Sequence, residues 1–501
     1  MCGNRGPAGG TEIDRRPNNK LTAGRKEELM NRNSKKNTII LGIALGVALL
    51  VLAAVFIVFS VMKNGGKSTT NGPFNVVVTF GDDPATQKNF SWYTETGSEQ
   101  SIVQYYAVDS AAAAAKPDFK NAQQAEGFVE TVDTFVPAAG QENSASASLE
   151  AASFVRHGVY IDGLRPGATY VYRVGDGKSW SGSGVFETAP ETAVSAETGF
   201  KFLIVGDSQG YTQSDFALWA GVYGAAVGNC PDSAFTVHLG DFIENEDNAL
   251  AWRYCLTLPG ELRSATLVPV AGNKEDDTFL KYFLLGTREG VTGLNGYYSF
   301  DYMNVHFTVL NTGDGSKDLS KAQIKWLRRD LESEAAKNAA WRVVLIHKAP
   351  YSDRNHADDS EIVEIRAQLL PEFETYNVDV VIEAHDHYYF RSEPVKNGGL
   401  EIAEYTSETV TSGGEQVTFF RAASGGDMGG VFYFMPGPSG VRQHSKGFRE
   451  MPEILAAKSL LLSDPTFCRC EVTAERISFY TFTVDRYNYS VKAVECWGIS
   501  K

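Results

Sequence analysis

Long apolar runs are almost absent from this chain of 501 residues, since only Thr38 to Met62 is free of charge over a membrane-spanning length. That run covers the ~20 residues a spanning helix requires and reads as a single span. Cysteine is scarce, with six residues, and none of their spacings makes a zinc finger. Internal repeats are missing. Basic charge is in deficit, 46 Lys and Arg against 61 Asp and Glu.

Nine Lys or Arg precede the apolar run, with Lys35 and Lys36 at its edge, whereas only Lys63 and Lys67 follow closely. This bias places the N-terminus in the cytoplasm and the remainder outside the cell membrane. No small-residue cleavage site follows the run, which argues for an anchor over a removed signal peptide. Beyond residue 67, 35 basic residues face 57 acidic ones, a net charge of −22 that disfavours nucleic acid and anionic lipid headgroups. On this topology Cys230, Cys255, Cys468, Cys470 and Cys496 meet oxidising conditions. Proximity in sequence offers Cys230 with Cys255, and Cys496 with either Cys468 or Cys470.

The expected organisation is a disordered cytoplasmic tail over 1–37, a transmembrane helix over 38–62 and a Gly, Ser and Thr linker over 63–71. Short alternating segments then run from Asn75 to Thr188 between Gly, Pro and Asp turns, predicting an all-β sandwich over 72–190. The Ala and Ser-rich stretches Ala111 to Ala115 and Ser144 to Ala152 read as loop or insertion. From Phe200 apolar runs alternate with amphipathic stretches, the α/β pattern, over 198–501. Ser320 and Gln323 form a capping box for one helix, and another follows Ser360.

Five apolar runs in this second part each end in a metal-binding residue type. Phe202–Val205 leads to Gly206-Asp207-Ser208-Gln209, Phe235–Leu239 to Gly240-Asp241, and Leu267–Ala271 to Gly272-Asn273. Val343–Ile346 leads to His347, and Val380–Ala384 to His385-Asp386-His387. Sites of α/β folds assemble at the carboxyl ends of strands, so the five tips should converge. Their mixed oxygen and nitrogen donors suit zinc, manganese or iron, whereas calcium prefers oxygen alone. One Gly-Asp after a strand is ordinarily a turn; five suitable tips in order are not a coincidence. His238 and His306 read as hydrogen-bonded core residues, and His157, His356 and His444 as surface or loop.

These motifs resemble the calcineurin-like metallophosphoesterases, and among them the bacterial relatives of purple acid phosphatases. The matching pieces are Gly206-Asp207-Ser208-Gln209, Gly240-Asp241-Phe242-Ile243-Glu244, Gly272-Asn273-Lys274-Glu275, Val344-Leu345-Ile346-His347 and Ala384-His385-Asp386-His387. Val159 to Val174 is similar to the late strands of fibronectin type III-like domains, the usual N-terminal companion. The resemblance implies a four-layer α/β/β/α metallophosphoesterase sandwich after a fibronectin type III-like sandwich of the purple acid phosphatase N-terminal type, here also preceded by the single transmembrane helix.

It implies two divalent or mixed-valence ions of Fe, Mn or Zn. Asp207 and His387, with Gln209, would hold one, Asp241 would bridge, and Asn273, His347 and His385 would complete the second. Two such ions clamp a phosphate and activate water for in-line attack. Asp241, Lys274 and His347 are then the catalytic candidates, and Asn273, Lys274, Tyr351, Tyr389 and Arg391 the substrate-binding ones. Glu244 stands where purple enzymes have a coloured tyrosinate ligand, so no charge-transfer colour is expected. Lys274 stands where the family has His, and a Lys of ordinary pKa ~10.4 is a poor proton donor at neutral pH.

The reading is a membrane-anchored extracellular phosphoesterase acting on phosphorylated small molecules, monoesters preferred. The alternatives are a phosphodiesterase and a metal-binding adhesion or ligand-binding module with weakened turnover. Oligomeric state is left open.

Overall fold

The computed structural model describes residues 72–501 except 96–98, 110–113, 115, 276–277, 287–294, 314–318, 355 and 444–452. The fold is mixed α/β, and one part of the expected fold class is corrected. No helix among the described residues is long and apolar enough to cross a membrane, so neither the single transmembrane helix nor the membrane localisation drawn from it stands. The longest described helix, Gln213–Asn229, has 17 residues, fewer than the ~20 a span requires. The run Thr38–Met62, with the tail and linker beside it, lies outside the described residues.

The N-terminal part is a β-sandwich. One sheet contains Phe74–Phe80, Lys88–Thr94, Leu149–Ile161 and Phe128–Pro137; the other pairs Gln123–Glu126, Ile102–Val108, Thr169–Gly175 and Gly184–Glu187. Alternating residues point inward, where Val78, Phe90, Trp92, Val103 and Tyr172 are fully buried between the sheets. His157 belongs to this interior and not to the surface. It is stacked on Trp92 at 5.0 Å and hydrogen-bonded to Thr94 and Ser101, each at 2.9 Å.

This sandwich is continuous with the sheet beside it. Phe74–Phe80 pairs in parallel with Thr266–Pro269, Val78 opposite Thr266, so its first sheet extends a sheet of twelve strands. Thr266–Pro269, Thr236–His238 and Phe200–Val205 are neighbouring parallel strands of that sheet. The Ser and Ala-rich stretch is partly strand: Leu149–Ile161 pairs with Phe128–Pro137 in a long hairpin. Its connecting loop reaches the helix after Gln209, where Asn143 Oδ1 accepts the Gln213 N–H at 3.3 Å.

A second sheet of seven strands contains Val305–Val309, Trp341–Lys348, Val380–Ala384 and Phe432–Met435 in parallel order. Aromatic rings join the two sheets, including Phe202 edge-on to Phe307 at 5.6 Å. Helices Lys321–Leu331 and Ser360–Thr375 pack Leu327, Leu331, Ile365, Leu369 and Phe373 against Val344, Ile346 and Val381 of the second sheet. Ser320 caps the first of these by accepting the Gln323 N–H at 3.1 Å. The Gln323 side chain does not complete the box; it exchanges two 2.8 Å hydrogen bonds with the Asn311 backbone.

Cys230, Cys255, Cys468, Cys470 and Cys496 are all free and buried, so neither sequence-proximal disulfide forms. Cys468 and Cys470 lie in the strand Thr466–Val472 opposite Thr481 and Phe479, and Cys496 faces Tyr480 from the next strand. They serve as small core residues.

Candidate metal centre

The strands Phe200–Val205, Thr236–His238, Thr266–Pro269, Trp341–Lys348 and Val380–Ala384 deliver the five tips to one end of the paired sheets. Each chain must turn sharply there. Asp207, Asp241, His385 and His387 all adopt left-handed backbone, with φ of 48°, 52°, 76° and 55°. Non-glycine residues rarely accept that geometry, and they concentrate at functional sites where surrounding structure enforces it. Gly240, at φ 94°, is required for a second reason: a Cβ there would lie 2.7 Å from Gly272 backbone and 2.8 Å from His347 Nδ1.

The structure brings together all seven residues singled out as metal candidates. Asp241, His347 and His385 offer ligand atoms within 4.8 Å of one another, as do Asp207, Asp241 and His387, and also His356, His385 and Asp386, so Asp241 is common to two of the three groups. His347 Nε2 is 3.3 Å from Asp241 Oδ1 and 2.9 Å from Asn273 Oδ1. Gln209 Nε2 is 3.2 Å from both Asp241 Oδ2 and His387 Nε2. His347 Nδ1 lies 2.7 Å from Leu239 O, which fixes the proton on Nδ1 and turns Nε2 toward the cluster.

The donor set fits hard or borderline cations. Asp207 Oδ2, Gln209 Oε1 and His385 Nε2 are buried with no hydrogen-bond partner among the described residues. Such orphaned atoms are costly unless a ligand satisfies them. Burial, and then the neighbouring Asp241 carboxylate, push the Asp207 pKa well above the carboxylate range. Burial, and then His347, hold His385 well below the usual histidine value. A cation among them relieves the carboxylate repulsion and uses the neutral imidazole nitrogens.

Glu275 anchors the Asp241 turn, its buried carboxylate accepting the N–H groups of Asp241, Phe242 and Gly272. Lys274 directs its backbone N–H to Asp241 Oδ1 at 3.1 Å and its Nζ to Glu244 at 3.6 Å. Glu275, next to Lys274 in the chain, is instead turned to the Asp241 backbone.

Three expected substrate contacts do not face the cleft. Tyr351 is 1% exposed and donates its hydroxyl to Gly399 O at 2.6 Å. Tyr389 is fully buried, its hydroxyl held by Glu495. Arg391 is buried too, 2.9 Å from Glu495 Oε1 and lying over the rings of Phe420 and Trp497. Apolar and aromatic neighbours draw all three into the core.

Two cluster neighbours were missed in the sequence. The ring of His356, set aside as surface, lies 4.5 Å from that of His385, and its Nδ1 is 2.7 Å from Asp359 Oδ2. Its position nine residues after His347 was the only available signal. Arg442 reaches Glu244 at 3.0 Å from the loop after Phe432–Met435, and no motif marks it. His238 is a core residue beside the site, bonded to Ser208 at 2.9 Å and stacked on Phe242.

Residues 73–188 match the family model of the purple acid phosphatase N-terminal domain, and 200–389 that of the calcineurin-like phosphoesterases. Purple acid phosphatase 22 of Arabidopsis thaliana is 30% identical over 52% of this chain and 59% of its own length. The Fe(3+)-Zn(2+) purple acid phosphatase 12 of the same plant is 24% identical over 74% of this chain and 75% of its own. Among solved structures, purple acid phosphatase PPD1 from yellow lupin seeds superposes with a TM-score of 0.64 at 15% identity, covering 86% of this chain and 74% of that one. That likeness concerns the fold alone.

Proposed function

For this chain, which belongs to the purple acid phosphatase-like metallophosphoesterases by its paired N-terminal and phosphoesterase domains, we propose metal-dependent hydrolysis of phosphate esters, with monoesters preferred. The observation that carries the reading is the sharing of Asp241 between two groups of potential ligands. Asp207, Gln209 and His387 would hold one ion, Asn273, His347 and His385 the other, with Asp241 offering a ligand to each. When bound, Fe, Mn or Zn ions there supply positive charge to the phosphoryl oxygens and lower the pKa of the attacking water.

The chain's own residues supply the rest. The amide of Asn273, half-buried between His347 and Lys274, positions a phosphoryl oxygen. Lys274 adds a fixed positive charge where negative charge grows in the transition state. His356, its Nδ1 held by Asp359 and its ring 4.5 Å from that of His385, is placed to protonate the leaving oxygen through Nε2.

The test is turnover of p-nitrophenyl phosphate by the metal-loaded protein, beside bis-p-nitrophenyl phosphate. Faster hydrolysis of the monoester is expected, lost on Asp241→Asn. Metal-loaded protein inactive on both esters contradicts the proposal and favours a binding module.

A further inference from the structure

Two cations share one carboxylate at the rim of the cluster. The Glu244 side chain, 11% exposed, lies 3.0 Å from Arg442 Nη2 and 3.6 Å from Lys274 Nζ. The cations are more open, at 40% for Arg442 and 32% for Lys274. A single carboxylate cannot neutralise both, so the trio carries net positive charge in a chain of formal charge −15. Arg442 is oriented further by a 2.9 Å hydrogen bond to the Tyr211 hydroxyl and by the Tyr211 ring, 5.5 Å from its guanidinium carbon. Its remaining N–H groups have no partner among the described residues.

Each member of the rim is tied to a loop of the cluster. Lys274 follows Asn273 and binds Asp241 through its backbone. Tyr211 lies two residues beyond Gln209. Gly440, two residues before Arg442, donates its N–H to Asp207 O at 3.2 Å, and a Cβ on it would come within 2.8 Å of that oxygen. The rim is therefore fixed relative to the place where a phosphoryl group would be held.

We infer that Arg442 and Lys274, held by Glu244, bind a second phosphoryl group, so that the preferred substrates are phosphate esters or anhydrides carrying two. This rests on the phosphate-ester reading above. The guanidinium fork matches phosphate oxygens, and Lys274 adds a point charge. Glu244 keeps the two cations adjacent without cancelling them. A simple aryl monoester has no second phosphoryl group for Arg442 to hold, although Lys274 still meets its reacting one.

The experiment compares kcat/KM of the metal-loaded protein on p-nitrophenyl phosphate, ADP and fructose 1,6-bisphosphate, and measures calorimetrically the binding of inorganic phosphate and pyrophosphate. Arg442 is half-buried on a loop and outside the core, so Arg442→Gln leaves the core intact, and Arg442→Lys retains charge without the fork. Arg442→Gln is expected to lower kcat/KM on ADP, on the bisphosphate or on both at least tenfold more than on p-nitrophenyl phosphate, through KM. Pyrophosphate should lose affinity more than phosphate, and Arg442→Lys should recover part of each loss. The arm that falls further distinguishes an adjacent second phosphoryl group from one across a sugar. Equal losses on all three substrates, or equal losses for phosphate and pyrophosphate, overturn the inference while leaving the phosphate-ester reading standing. Absence of turnover on every ester overturns both.

Discussion

Glu275 holds the backbone of Asp241: its Oε2 accepts the Asp241 N–H at 3.0 Å and that of Gly272 at 2.8 Å, while Oε1 accepts Phe242 N–H at 2.7 Å. A carboxylate alone has acceptors on both arms. Glu275→Gln places an NH2 donor against at least one N–H in a fully buried site. Metal affinity is expected to fall about 10–100-fold, the usual cost of losing a group that orients a ligand. Titration of metal into the metal-free protein measures it; unchanged affinity would mean that the Gly272–Glu275 turn holds Asp241 unaided.

His306 gives a pH-dependent stability far from the cluster. Burial disfavours its charged form, but Asp301 at 2.8 Å and Asp330 at 3.1 Å outweigh burial and lift its pKa from 6.5 to about 9. Because the folded pKa lies above the unfolded one, the contribution is full below pH ~6.5 and lost as pH rises toward about 9. Its size is on the order of 2–3 kcal/mol, reduced by the partial exposure of Asp301. Thermal unfolding from pH 6 to 9 should show a steeper fall in Tm for the native chain than for His306→Gln. Parallel curves count against a charged His306.

Arg391 and Glu495 form a buried pair, so removing one partner strands the other. Arg391→Ala is expected to cost about 3–5 kcal/mol in denaturant unfolding. KM for p-nitrophenyl phosphate should stay within about twofold, since Arg391 makes no uniform binding contact. A raised KM with stability unchanged would return Arg391 to the cleft.

His356→Ala should lower kcat by about 10²–10⁴ on an alkyl phosphate and less on p-nitrophenyl phosphate, whose leaving group needs no proton. Metal content should not change. Equal losses on both substrates would speak against proton donation.

The convergence of the cluster was legible in the sequence because each candidate follows an apolar strand, and strand ends share one edge of an α/β sheet. The left-handed turns at Asp207, Asp241, His385 and His387 were not legible, since nothing local demands φ > 0 of these residues. Tyr351, Tyr389 and Arg391 follow the right loops in sequence, but their rings and stem pack inward against partners far along the chain, such as Gly399 and Glu495. Arg442 comes to the cluster by a tertiary contact that no spacing encodes, and His356 is marked only by following His347 by nine residues. The sandwich was visible as alternating strands, whereas its fusion to the next sheet depends on Val78 meeting Thr266, a pairing set by packing across 188 residues of chain. The cysteines were paired by proximity, yet each is a core side chain. The transmembrane helix read from hydropathy finds no counterpart among the described helices.

On the proposed function Asp241 serves two metal ions. Metal content per chain, measured by mass spectrometry after loading and exhaustive dialysis, tests it most directly. Two ions in the native protein and fewer than one in Asp241→Asn are the predicted result. A native stoichiometry of one, or an Asp241→Asn variant that still holds two, contradicts it.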